Sequence, residues 1–494
     1  MKLTRKSKRI VATVFGGAAV AAAGVVALPA DAAATGTVSV IDRSIVALVD
    51  SSSRAHNAVI TRSGRTITVD DVVGITAGAG CAKVDGTKVR CALKADPTRL
   101  RVYLGPKNDT VVNRTDVAIT ARGGAGADRL TGGSRPDLLV GEDGNDAVWG
   151  QGGNDQLEGN DGNDALSGGD GNDSVFSHEG ADTLYGGAGF DVLDDGTGND
   201  RVYAGDGNDL VTADLGNDII DGGNGDDELT QEWAPSGADA DSWIGGAGMD
   251  AVSYESSTKP IVADADAVKG DDGQAGERDT IGASVEYIKG GSGNDRLLGT
   301  ARNEWLYGGP GNDVIAGGGG NDVLLGGAGR DYLNGAAGND ALFGDDPDHN
   351  TPVADTLIGG PGRDYVSYAA YKKPVTVDLD GSAGDDGQAG EKDTVAADVE
   401  DVFGGDGNDR ITGNAAANDI DAGRGNNTVR GGAGNDVIRG YLGVDTFYGE
   451  AGDDKLYAAD AKKDDHIDGG AGVNDYCSVD TGDAMTNCEK VEYY

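Results

Sequence analysis

Bulky and cationic residues are scarce in this sequence. Aromatics make up 5% of its 494 residues, and only 40 Lys and Arg stand against 84 Asp and Glu. Without large side chains a chain of this length does not build a conventional large hydrophobic core. Without an excess of cationic residues it presents no basic patch, which argues against a nucleic-acid partner. There are 11 prolines, four cysteines and four histidines. Four histidines with no H-E-x-x-H among them give no zinc-hydrolase motif. No G-x-S-x-G occurs, and no cysteine is paired with a histidine in a nucleophile pattern. The formal charge of −44 opposes a compact state unless something positive compensates it. Multivalent cations are the expected partner.

What the sequence has in abundance is glycine, 86 residues of it. It also has a distinctive N-terminus. Lys2, Arg5, Lys6, Lys8 and Arg9 form a basic cluster, Ile10 to Leu28 is apolar and small, and Ala30-Asp31-Ala32 fits a cleavage site. Residues 1–32 are therefore expected to be a signal peptide, giving an extracellular chain with no membrane span after processing. Removing them leaves 35 basic and 83 acidic residues, a charge of −48. Cys81 and Cys91 lie ten apart and Cys477 and Cys488 eleven apart. In an exported chain these two local pairs are expected as disulfides, with a metal site as the disfavoured alternative.

From Gly123 the chain divides every nine residues without an insertion: GGAGADRLT, GGSRPDLLV, GEDGNDAVW and so on through GGNGDDELT, twelve repeats over 123–230. Position 6 is Asp in all twelve: Asp128, Asp137, Asp146, Asp155, Asp164, Asp173, Asp182, Asp191, Asp200, Asp209, Asp218 and Asp227. Position 8 is always Leu, Val or Ile, and position 4 is Gly except at Arg135. Glycines at positions 1, 2 and 4 would permit torsions that a Cβ forbids, so the first six residues can turn tightly. Positions 7–9 would form a short strand whose position 8 points inward. Stacked turns would then pile Asp on Asp, which is unfavourable without a cation. Calcium accepts the mixture of carboxylate and backbone carbonyl oxygens that such turns offer.

After a connecting insert at 231–244, a second array is internally duplicated with a 114-residue offset, as 245–358 and 359–468. Each copy starts with one repeat (GGAGMDAVS, GGPGRDYVS) and carries a related insert, 254–289 or 368–403, sharing GDDGQAGE. Each ends in six more repeats. The inserts are expected to be enlarged coils, with Val375, Val377 and Leu379 alternating as a strand. The position-6 aspartates here are Asp250, Asp295, Asp313, Asp322, Asp331, Asp340, Asp364, Asp409, Asp436, Asp445 and Asp454. Glu304, Asn418 and Asn427 replace Asp in three repeats and are expected to bind weakly or not at all.

These repeats resemble the RTX family of hemolysin-type calcium-binding nonapeptides. The resemblance implies an all-β fold, a right-handed parallel β-roll or solenoid in which two nonapeptides complete one coil. It places calcium ions between repeats n and n+2, for example between Asp146 and Asp164. Residues 33–122 and the ending GGAGVNDYCSVDTGDAMTNCE are also similar to exported calcium-binding repeat proteins of actinobacteria. Residues 33–122 are expected to form a small β region that caps the roll, with a degenerate repeat at Leu104–Val112 carrying Asp109. Residues 469–494 should form the disulfide-bonded cap at the other end.

No catalytic residue is assigned. His56, His178, His349 and His466 are taken as solvent-facing side chains. Trp149, Trp233, Trp243 and Trp305 are taken as packed or outward residues rather than a carbohydrate surface. The expected function is an extracellular, non-enzymatic calcium-binding protein, structural or adhesive in the cell envelope or matrix. Its cell-wall, carbohydrate or protein partner is left open. The alternative is a secreted enzyme using the repeats as scaffold, with an active site in 33–122 or in the inserts.

Overall fold

A computed structural model describes residues 36–50, 53–232, 239–345, 353–460 and 464–494. The segment expected to be a signal peptide, residues 1–32, and Trp233 and His349 lie outside the described residues. Every named element among the described residues is a β-strand. No helix there is long and apolar enough to cross a membrane.

Successive repeats alternate between two sheets, so a strand pairs with the strand eighteen residues on. Val148 in Ala147–Gly152 is in register with Leu166 in Ala165–Asp170, and Leu157 in Gln156–Asp161 with Val175 in Ser174–Glu179. Both pairings are parallel. Two nonapeptides therefore make one coil, as the resemblance implies. One 23-stranded sheet runs the length of the chain. The other side is divided among a 13-stranded and two seven-stranded sheets. Position 8 faces inward throughout: Leu130, Leu139, Val148, Leu157, Leu166 and Val175 are fully buried in one continuous core. Many strands run six residues rather than three, continuing through positions 1–3 of the next repeat.

The glycines have two distinct reasons, where torsion alone was expected. Position 4 needs positive φ, as at Gly144 (φ 140°) and Gly162 (φ 142°). Position 1 does not adopt positive φ in Gly123, Gly132 or Gly141. Its requirement is space.

The inserts do more than enlarge a coil. In the first, Thr280–Ile281 ends the 13-stranded sheet by pairing with Ser242–Ala247, while Ile261–Asp264 opens a new sheet by pairing with Arg296–Leu298. The second repeats this, with Thr394–Val395 closing one seven-stranded sheet and Val375–Asp378 opening the other. The long sheet continues past both inserts.

At the N-terminal end, Asn57–Ser63, Thr66–Asp70, Lys88–Ala92 and Cys81–Lys83 form an antiparallel meander on one sheet edge. Thr37–Asp42 and Ile45–Val49 form a hairpin on the other. Antiparallel caps of this kind keep open parallel edges from pairing with other chains. Cys81 is bonded to Cys91 and Cys477 to Cys488, as the spacing predicted. The C-terminal segment is not a separate unit. Tyr476–Val479 and Lys490–Tyr493 continue the long sheet.

Candidate metal centre

All 23 position-6 aspartates singled out in the sequence are buried. They form columns at the mouths of the turns. Within a column the backbone amide of one aspartate donates to Oδ1 of the next: Asp128 to Asp146, Asp146 to Asp164, and Asp155 to Asp173, all at 2.7 Å. Asn145, Asn154 and Asn163 at position 5 form a second ladder outside them, accepting from the amides of residues eighteen further on. That role for the recurrent Asn was not anticipated from the sequence.

Oδ2 is the telling atom. It is buried without a hydrogen-bond partner in Asp128, in every position-6 aspartate from Asp146 to Asp250, and in Asp313, Asp322, Asp331, Asp340, Asp364, Asp436 and Asp454. A buried carboxylate oxygen with nothing to accept from is costly. Burial pushes these carboxyls up, to about 7 for Asp128, Asp155, Asp164 and Asp191 and to about 6 for Asp146. Like charge from column neighbours adds to this in Asp155, Asp164 and Asp191.

Position 1 supplies the space beside that oxygen. A Cβ on Gly222 would lie 2.5 Å from Asp227 Oδ2 and 2.6 Å from the carbonyl oxygen of Gly245 in the next coil. Gly123, Gly132, Gly141, Gly150 and Gly159 repeat the arrangement. The glycine thus leaves a recess walled by a carboxylate and a carbonyl oxygen. Calcium takes oxygen ligands of both kinds in flexible geometry, so the residues fit that ion. Bound there, it would supply the positive charge the column lacks.

Three predicted ligands stand apart. Asp137, Asp295 and Asp409 each begin a column, and neither oxygen is free. Oδ1 accepts from Ile119, Ile261 or Val375, and Oδ2 from the amide of Gly133, Gly291 or Gly405. The coil before each of them supplies an amide but no acid to the column. They open their columns with both carboxylate oxygens hydrogen-bonded to amides. Glu304 and Asn418 make the equivalent local bond, to the amides of Thr300 and Asn414.

Asp109, carried by the degenerate repeat Leu104–Val112, opens the first column ahead of Asp128. Conversely, the columns include acids that the nine-residue frame missed: Asp241 and Asp279 extend the first one beyond Asp218. Asp355 and Asp393 extend another beyond Asp331. Asp465 and Asp475 follow Asp445 and Asp454. In each case a residue count other than nine hides the member, although the signature of Asp followed two residues later by a buried apolar residue persists. Asp195 is a different omission. It occupies position 1, where glycine is the rule, and is fully buried with Oδ2 unpartnered. Its carboxylate, with those of Asp200 and Asp218, places three ligand atoms within 4.8 Å of one another.

His56 corrects the expectation of a surface histidine. It is 2% exposed. Its amide donates to Asp109 Oδ1 at 2.6 Å, so it holds the slot ahead of the first column aspartate. Its Nδ1 lies 2.6 Å from Asp71 Oδ2, and its Nε2 bonds to Asp50. Burial works against the imidazolium, but Asp71 and Asp50 outweigh it and raise His56 to about 9. The column thus starts on a fixed cation borne by the chain. Trp243 is packed rather than outward, fully buried at position 8.

A family model described as the RTX calcium-binding nonapeptide repeat, four copies long, matches residues 122–157, 158–193, 194–229, 289–324, 317–346, 397–429 and 422–456. No curated protein matches the chain. The matched segments follow the regular runs of the columns and leave out most of both inserts. Seven matches, a parallel two-repeat coil and columns of unpartnered carboxylates agree: between residues 122 and 456 the chain carries repeats of the RTX calcium-binding nonapeptide family in several copies.

Proposed function

We propose that this protein is an exported, non-enzymatic scaffold that folds on binding many calcium ions outside the cell and serves a structural or adhesive role in the envelope or matrix. The observation that carries it is the eighteen-residue recurrence of buried, unpartnered Asp Oδ2 atoms. Those oxygens make the coil a poor fold without a cation and a good one with it, so binding and folding are one process. Midpoints on the order of 10⁻⁴–10⁻³ M would suit a calcium-rich exterior. Two disulfides and the basic, then apolar N-terminus support export. Exposed rings stacked on adjacent coils, such as Tyr185 and Tyr203 at 5.2 Å, support a role in surface contact.

Fractionation of the producing cells tests this reading. The chain, processed after Ala32, is expected in the wall, matrix or culture fluid, and chelator should release the wall- or matrix-held portion. Retention of an intact, unprocessed chain inside the cell would contradict it.

A further inference from the structure

The first insert brings four acids together where its sheet ends. Asp239, Asp241, Glu277 and Asp279 are 7%, 1%, 6% and 0% exposed. Asp239 Oδ1, Asp241 Oδ2 and Glu277 Oε1 are buried with no partner. Asp279 closes the column, accepting the Asp241 amide on Oδ1 and the Tyr254 hydroxyl on Oδ2. Beyond it no further coil of that sheet can supply a carbonyl or carboxylate. Glu277 stands in that place. Its Oε2 accepts from the Gln274 amide and converges with Asp279 Oδ2 over Gly273, whose Cβ would lie 2.8 Å from the first oxygen and 2.6 Å from the second.

The second insert builds the same arrangement 114 residues on. Asp355, Glu391 and Asp393 are buried, and Asp355 Oδ2 has no partner. Asp393 closes its column, accepting the Asp355 amide and the Tyr368 hydroxyl. Glu391 Oε2 and Asp393 Oδ2 converge over Gly387, 2.5 Å and 2.6 Å from its would-be Cβ. The fourth acid comes from elsewhere in the sequence. Asp345, not the counterpart of Asp239, joins this cluster through Glu391 and the Tyr371 hydroxyl. Two copies that recruit a fourth carboxylate from different positions point to a shared need for negative charge. Lys259 offsets part of the charge at Glu277. Burial and the neighbouring Asp279 push Asp241 up to about 9, and burial and Glu391 do the same to Asp345.

We propose that each insert carries a calcium site of its own, built on Asp241, Glu277 and Asp279 in the first and Asp355, Glu391 and Asp393 in the second, which closes a column of the roll. These residues lie in segments that the nonapeptide repeat does not match. Oxygen donors of mixed origin, rich in carboxylates and out of contact with water, select a hard cation of calcium size. The choice of ion rests on the calcium reading of the repeats, whereas the existence of the sites does not.

The test is equilibrium dialysis of the full processed chain against calcium, counting bound ions. Glu277→Gln should bind one ion fewer than the unaltered protein and the Glu277→Gln, Glu391→Gln pair two fewer, with the remaining ions retained. Thr280→Val and Thr394→Val each remove one hydrogen bond inside an insert, to the amides of Gly270 and Gly384, without touching a carboxylate. They should leave the count unchanged. If the glutamine pair binds as many ions as the unaltered protein at the same free calcium, the insert sites are overturned and the repeat sites stand. If the valine variants lose the same ions, the loss reflects insert collapse and the proposal also falls. If the unaltered chain binds no calcium, both readings fall together.

Discussion

The backbone amide of Asp146 donates to Oδ1 of Asp164 one full coil away, and Oδ2 of Asp164 has no partner. The two oxygens of Asp164 thus have different duties. One oxygen stitches the coil to its neighbour, and the other makes that coil depend on a cation.

The position within a column therefore decides what an aspartate does. Asp155 has a vacant oxygen, whereas Asp137 spends both on amides. Asp155→Asn is expected to lower the number of bound ions and the cooperativity of the transition. Asp137→Asn should keep the ion count and cost about 1 kcal/mol in stability through a lost hydrogen bond. Calorimetric titration of the two variants checks this, and equal ion loss from both would contradict it.

Asp195 adds a third carboxylate to the site of Asp200 and Asp218. More ligand charge means tighter binding. Asp195→Gly, which restores the usual residue, should weaken the tightest calcium class roughly tenfold without lowering the total bound at saturation. Competition against a chromophoric chelator measures it.

The raised carboxyls set a pH window. Folding without calcium disfavours the charged form of these groups, so the penalty is fully present above about 7 and disappears as pH falls toward the ordinary carboxylate range. In chelator, the β signal should grow as pH drops from 7.5 to 5. Over the same interval protons displace calcium, and the calcium midpoint should rise. Circular dichroism at fixed free calcium across that range checks both signs.

How much of this was legible follows from what each residue obeys. The nine-residue period exposed position 8 and position 6, since both recur for one geometric reason: a strand alternates its side chains and a coil repeats its turns. Hence Leu166 and Asp164 could be placed from sequence. Asp241, Asp279, Asp355 and Asp393 could not, because insertions shift their spacing while the column beside them stays in register. The duties of Asp137 and Gly222 were also hidden. A free oxygen, or the need for an empty recess, depends on the coil before or after and leaves no local trace. His56 was misplaced because a lone histidine carries no sign of the two aspartates that fold around it.

That histidine gives the cap a stability independent of metal. His56 is raised above its unfolded value, so its contribution is fully present below about 6.5 and is lost as pH rises through about 9. In chelator, the N-terminal region should unfold at lower urea concentration at pH 10 than at pH 7. His56→Gln, which leaves Asp50 and Asp71 without a buried cation between them, should cost about 3 kcal/mol at pH 7.

The most direct test of the central claim is far-ultraviolet circular dichroism of the processed chain in calcium and in excess chelator. Without calcium, the repeat region should lose most of its β signal while the segment around Cys81 and Cys91 stays folded, and restoring calcium should return the signal in one cooperative step. An unchanged β spectrum in chelator, together with no calcium bound by calorimetry, would contradict the account.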